Sequence, residues 1–299
     1  MKLAVYTVCL PEYTIEEAPA LLKSMGCDAV EWRVDDTSGG IAAAYFANLP
    51  EEKKFEYRYW TDNKATLDTK NIMEDCLRAK KVCDEAGIEI VNLAAALGND
   101  LEQLEKVLAA AKAIGCRSIR GPMVGYNPKK SYKEQLDTFR ANLKSYEPLL
   151  KKYGVKMMIE THHGNLVTSA SAAMLVLNGF DPDYYGLIYD PGNMVFEGFE
   201  NYKMGFDMLG KYLAHVHIKN GAYTPAGEDE FGATKYAQSW KPLDKGSANL
   251  YALIKALVEV GYDGVLSIED FSNEKPTYEK LQEGLDYLKK LIAAAEKAN

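Results

Sequence analysis

Eight short apolar runs, each followed by a stretch of helical periodicity, restrict this chain more than any other feature of its sequence. The runs are 3–7, 28–34, 88–93, 117–120, 155–160, 185–190, 214–219 and 264–269. Each has the length of a buried strand and is too short for a helix. Between and after them, helical spacing is expected over 14–25, 71–86, 101–114, 132–153, 169–178, 204–210, 250–260 and 277–295. Ala18, Leu21, Leu22 and Met25 show that spacing in the first, behind the capping-type start Thr14-Ile15-Glu16-Glu17. Gly26, Gly87, Gly115, Gly154 and Gly261 stand where helices must stop before strands two, three, four, five and eight.

Alternating strand and helix implies a parallel sheet. Eight such units in 299 residues match a single (β/α)8 TIM barrel spanning 1–299. A doubly wound open sheet would need a Gly-rich phosphate turn after an early strand, and the sequence has none. Two stretches break the rhythm. Residues 35–70 contain Gly39-Gly40, Pro50 and the loop-like run Glu51-Glu52-Lys53-Lys54, then Tyr57, Tyr59 and Trp60. Residues 220–244 contain Tyr223, Pro225 and Trp240. Long insertions at this kind of position serve as active-site lids more often than as slack.

Composition narrows the partners. Hydrophobic residues make up 47% and charged residues 26%, enough for a large core under an ordinary polar surface. A net charge of −8 argues against a nucleic-acid or anionic-membrane partner. The five cysteines are odd in number, and none shows zinc-knuckle or redox spacing, so free thiols in a reducing compartment are expected. No run approaches the ~20 apolar residues of a membrane helix. The apolar start before Pro11 is too short for a signal sequence. The expected location is the cytoplasm.

Strand phase gathers the chemistry. Side chains alternate between the barrel interior and the helices along each strand. With Met157 and Ile159 facing the helices, Met158 and Glu160 face inward. The same phase turns Asp190, His217 and Glu269 inward at the ends of strands six, seven and eight. Four successive strands thus aim Glu160, Asp190, His217 and Glu269 into the C-terminal mouth, where barrel active sites are built. A single strand-end carboxylate is usually a solvated cap. Three together repel strongly unless a cation joins them. Three carboxylates and one imidazole are a hard, oxygen-rich set that suits one divalent metal, Mn²⁺ first, with Mg²⁺, Co²⁺, Zn²⁺ or Fe²⁺ as alternatives.

The four histidines, His162, His163, His215 and His217, all sit at the ends of strands five and seven. His217 lies at the depth of the acids. His215 is one layer deeper and is expected to pack or hydrogen-bond below them. His162 shares the phase of Glu160 and could reach a substrate, while His163 points the other way. Glu31, Arg33 and Arg120 also point inward, either as buried ion pairs or as substrate contacts. Trp60 and Trp240 could stack on a substrate or simply pack the lids.

Five stretches resemble the sugar phosphate isomerase/epimerase superfamily of xylose isomerase-like TIM barrels. They are Val30-Glu31-Trp32-Arg33, Ile159-Glu160-Thr161-His162, Tyr189-Asp190-Pro191-Gly192-Asn193, His215-Val216-His217-Ile218-Lys219, and Gly261-Tyr262-Asp263-Gly264 with Ile268-Glu269. The resemblance implies that Glu160, Asp190, His217 and Glu269 hold the metal and that Glu160 and Glu269 are the acid/base pair. It implies a ketose or related polyol substrate, isomerised or epimerised through an enediolate.

Asn193 stands where ketose 3-epimerases commonly carry a histidine, and Lys219-Asn220 where they carry an arginine. The expected substrate contacts are therefore His162, Asn193, Lys219, Arg120, Glu31, Trp60 and Trp240. The related endonucleases place extra histidines on earlier strands, and strands two to four here have none. Two alternatives stay open. One is a metal-dependent lyase or dehydratase acting on an inositol- or keto-sugar-like substrate. The other is a non-catalytic sugar-binding or subunit protein, which the four intact ligands disfavour. Assembly as a homodimer or homotetramer is a further expectation from the resemblance.

Overall fold

The first strand, β1 (Lys2–Tyr6), pairs in parallel with both the second and the last of the barrel strands, and this closes the sheet. In chain order the others are β2 (Ala29–Asp35), β3 (Glu89–Ala95), β4 (Ser118–Arg120), β5 (Lys156–Glu160), β6 (Tyr185–Tyr189), β7 (Leu213–Ile218) and β8 (Val265–Ile268). Each pairs in parallel with its sequence neighbour around the ring. The computed structural model describes residues 1–37 and 49–298. It is a closed eight-stranded parallel barrel with flanking helices, as the alternation of strands and helices requires.

Local signals set the helix ends. Thr14 and Glu17 bond reciprocally, Thr14 N–H to Glu17 Oε2 at 2.9 Å and Glu17 N–H to Thr14 Oγ1 at 3.3 Å. Asp100 and Ser131 cap the helices Leu101–Ala113 and Tyr132–Tyr153. Gly87 and Gly154 end their helices at φ 67°, a left-handed conformation that only glycine adopts cheaply. The main core lies between strands and helices, where Val5, Val30, Leu93, Ile119, Met157, Leu187, Val216 and Leu266 are fully buried. All five cysteines are buried and unpaired. Among the described residues no helix is long and apolar enough to cross a membrane.

The described parts of both excursions contain regular structure. Glu51–Thr61 is a helix that begins directly after Pro50, which corrects the loop expected for Glu51-Glu52-Lys53-Lys54. Tertiary contact explains it. Tyr59 is buried and its hydroxyl meets the Ser272 carbonyl at 3.2 Å and the Lys280 ammonium at 2.8 Å. Thr66–Asp68 then forms a short strand on β2, beyond the point where β1 ends. Gly39-Gly40 lie outside the described residues. The second excursion is an antiparallel hairpin, Gly221–Glu228 with Thr234–Trp240. A short helix, Pro191–Phe196, starts on Asp190 immediately after β6 and had no counterpart in the expected pattern.

Candidate metal centre

Glu160 ends β5, and Asp190, Lys219 and Glu269 lie one residue beyond β6, β7 and β8. His217 is the last-but-one residue of β7. The inward phase brings ligand atoms of Glu160, Asp190, His217 and Glu269 to within 4.8 Å of one another, all buried. His217 Nδ1 lies 3.3 Å from Glu160 Oε1, 3.6 Å from Asp190 Oδ2 and 3.5 Å from Glu269 Oε2. It is fully buried and makes no aligned hydrogen bond. A proton or a metal ion could each answer the three carboxylates there. The orphaned nitrogen amid oxygen donors fits a divalent cation better, because a proton would be shared along one good hydrogen bond.

The other end of the ring is fixed. His217 Nε2 lies 3.2 Å from Glu31 Oε2, and His215 Nε2 lies 3.0 Å from the same oxygen. Asn92 donates to Glu31 Oε1 at 2.8 Å. Burial alone would raise the pKa of Glu31, but His217 and then His215 hold it well below the usual carboxylate range. Burial would likewise lower that of His217, yet Glu31 and Glu269 push it well above the usual imidazole value, so Nδ1 carries a proton unless a cation takes its place. A carboxylate behind a ligand histidine sets its tautomer and orientation. Tyr6, at the end of β1, stacks on the His217 ring at 5.7 Å between centroids.

Two of the side-chain cations at the mouth pair with these acids. Arg120 Nη1 donates to Glu160 Oε2 at 2.9 Å, and Lys219 Nζ donates to Glu269 Oε2 at 2.6 Å and to Asp190 Oδ2 at 3.3 Å. Burial raises the Glu160 pKa, but Arg120 and then His217 outweigh it and hold the group ionised. Burial disfavours the Lys219 charge, and Asp190 and Glu269 more than restore it. Carboxylate repulsion is thus already partly relieved by Arg120 and Lys219. The unpartnered Nδ1 of His217 is the stronger sign of a metal than the crowding of acids.

The expected substrate contacts separate by depth. His162, Arg120, Lys219, Trp60 and Trp240 line a cavity of about 410 Å³ together with Glu160 and Glu269. Glu31 and Asn193 are fully buried behind the four candidate ligands. Glu31 thus takes the paired arrangement of its two sequence readings. Asn193 Nδ2 donates to Glu160 Oε1 at 3.3 Å, and its backbone N–H donates to Oδ1 of Asp190, the N-cap of the short helix, at 2.8 Å. Arg33 turns to Asp35 at 2.5 Å and Thr66 at 2.6 Å.

Several mouth residues were not legible in the sequence. His163, whose phase looked unfavourable, lines the cavity because the chain turns after β5. It stacks on His162 at 4.5 Å and bonds Asn193 Oδ1 at 3.2 Å. Phe271 lines it from the loop after β8, and the Lys219 ammonium lies 4.8 Å from its ring and 4.5 Å from that of Trp240. The only sequence signal for Phe271 was its position two residues after Glu269.

Comparison with known proteins agrees with this architecture. The family model described as xylose isomerase-like TIM barrel matches residues 19–291. Among solved structures, a 3-keto-D-glucoside 4-epimerase from E. coli is 16% identical, with a TM-score of 0.68 over 97% of this chain and 99% of that one. A D-psicose 3-epimerase with D-tagatose from Clostridium cellulolyticum is 14% identical, TM-score 0.68, over 98% and 99%. The IOLI protein with a bound zinc atom is 19% identical, TM-score 0.66, over 99% and 98%. No curated protein matches the sequence.

Proposed function

The chain belongs to the xylose isomerase-like TIM-barrel family, and we propose that it is a divalent-metal-dependent sugar isomerase or epimerase with Glu160 and Glu269 as its acid/base pair. The observation that carries this reading is the convergence of Glu160, Asp190 and Glu269 on the unpartnered Nδ1 of His217. The sugar epimerases among the similar structures support it. A divalent ion in this set, Mn²⁺ before Zn²⁺ by its oxygen-rich donors, would stabilise the charge that builds when the carbon beside a ketose carbonyl is deprotonated.

The rest is assigned to the protein's own side chains. Glu160 and Glu269 both face the cavity, so one takes the carbon-bound proton and the other returns one. Arg120 and Lys219 hold these carboxylates in place, and His162 is placed to bond a sugar hydroxyl. Trp60 and Trp240, one from each excursion, act as lid residues that cover the sugar and exclude water. The same reading places the protein in the cytoplasm as a homodimer or homotetramer.

The test is a panel of ketoses and keto-inositols in D₂O with Mn²⁺, before and after chelation. Metal-dependent deuterium uptake into an isomeric product is the expected result. No metal bound and no exchange with any substrate would overturn the reading. A lyase or dehydratase is the second reading. It is favoured by Lys219, whose ammonium beside Glu269 could protonate a departing oxygen. Loss of water or an aglycone in the same panel would select it.

A further inference from the structure

The cavity that holds the acids is one of two that meet at the barrel mouth. The second, of about 590 Å³, lies further out and shares four ring-bearing residues with the first: Trp60, Phe271, Trp240 and His163. These rings form a continuous row. Trp60 and Phe271 are 4.7 Å apart, Phe271 and Trp240 5.8 Å, and Trp240 and His163 5.8 Å, between centroids. Phe196 backs Trp240 at 4.9 Å. The row is packed on itself and borders both spaces.

The inner cavity, at about 410 Å³, already has room for a single sugar and is lined by both carboxylates assigned to proton transfer, Glu160 and Glu269, with Arg120, Lys219 and His162. The outer one is larger and contains none of the four ligands. Its polar wall includes Gln238, Ser239 and Lys241 from the hairpin and its exit, Asn273 after β8, and the carboxylates of Glu56 and Glu274. Amide, hydroxyl and ammonium groups beside aromatic rings suit one ligand chemistry. The C–H face of a pyranose packs on an aromatic ring while its hydroxyls meet the polar rim.

We propose that the outer cavity is a second glycosyl subsite, so that the substrate is a glycosidically linked, disaccharide-sized sugar with its reacting ring in the inner cavity. This rests on the sugar-enzyme reading and specifies its substrate class. It also gives the hairpin a role beyond covering the mouth, since three residues of its second strand and the turn that follows it build the subsite.

Calorimetric titration of the Mn²⁺-loaded chain tests it without requiring turnover. The probes are methyl glucoside, galactoside and mannoside, set against cellobiose, lactose and mannobiose, with phenyl glucoside as an apolar-aglycone control. At least one disaccharide is expected to bind about tenfold tighter than its single-ring counterpart and tighter than the phenyl glycoside. Gln238→Phe or Ser239→Phe, which place bulk in the outer cavity, should bring that ratio towards one. Equal binding of one-ring and two-ring sugars, a stronger response to phenyl glucoside, or an advantage untouched by both substitutions would overturn the second subsite alone. A chain that binds Mn²⁺ but neither these sugars nor the ketoses of the D₂O panel would instead overturn the sugar-enzyme reading, and this inference with it.

Discussion

Glu31 Oε2 lies 3.2 Å from Nε2 of His217, at the opposite end of the imidazole from the atom that faces Glu160, Asp190 and Glu269. One buried carboxylate on β2 therefore orients the imidazole proposed as a ligand on β7, from the far side of the ring. Replacing it with glutamine keeps the shape and removes the charge. Glu31→Gln is expected to lower Mn²⁺ affinity by about 10- to 100-fold, the usual effect of losing the partner of a ligand histidine. Calorimetric titration of the metal checks this, and unchanged affinity would show that Glu31 only fills space.

Glu269→Gln should leave the fold intact and slow proton transfer by roughly 10² to 10⁴-fold. Glu160→Gln should do the same. Deuterium exchange into the best substrate, normalised to bound metal, separates loss of the base from loss of the ion. A variant that retains both metal and full exchange would remove that residue from the acid/base pair.

Trp60→Ala should act mainly on binding. The ring borders the cavity but carries no proton, so KM should rise several-fold while kcat stays within a factor of about three, as expected when uniform binding is lost. A collapse of kcat with KM unchanged would instead make Trp60 part of the chemistry.

Metal removal should cost stability as well as activity. An ion that binds only the folded chain adds about 2.7 kcal/mol at a hundred times its Kd. Thermal melts with and without chelator should therefore differ by several degrees, with the Mn²⁺ form higher. Coincident melts over a range of Mn²⁺ would rule out a bound ion at the four ligands.

The thiols provide a prediction independent of the site. Burial pushes the Cys27, Cys76, Cys83 and Cys116 thiols up to about 12, well above an ordinary thiol. A thiol reagent at pH 8 should label these four only after denaturation. The folded chain retains these protons longer than the unfolded one. Their contribution to stability is thus complete below pH 9 and lost as the pH rises through about 12. Rapid labelling of the native protein would contradict the buried placement.

What the sequence by itself determined is periodic and local. A two-residue alternation tells which side of each strand faces the lumen, and it turns Glu160, Asp190, His217 and Glu269 inward. Helix caps such as Thr14 with Glu17, and stops such as Gly87 and Gly154, are also short-range signals. Tertiary structure decided the rest, because it depends on residues that only barrel closure brings together. Glu31 meets His215 and His217 across more than 180 positions, and nothing local to Glu31 announces that bond. Glu51–Thr61 is held by the contacts Tyr59 makes with Ser272 and Lys280, far along the chain. His163 and Phe271 enter the mouth through loops, where no fixed period sets the direction of a side chain. Phase assigned side chains to the lumen, and closure of the ring decided which of them became partners.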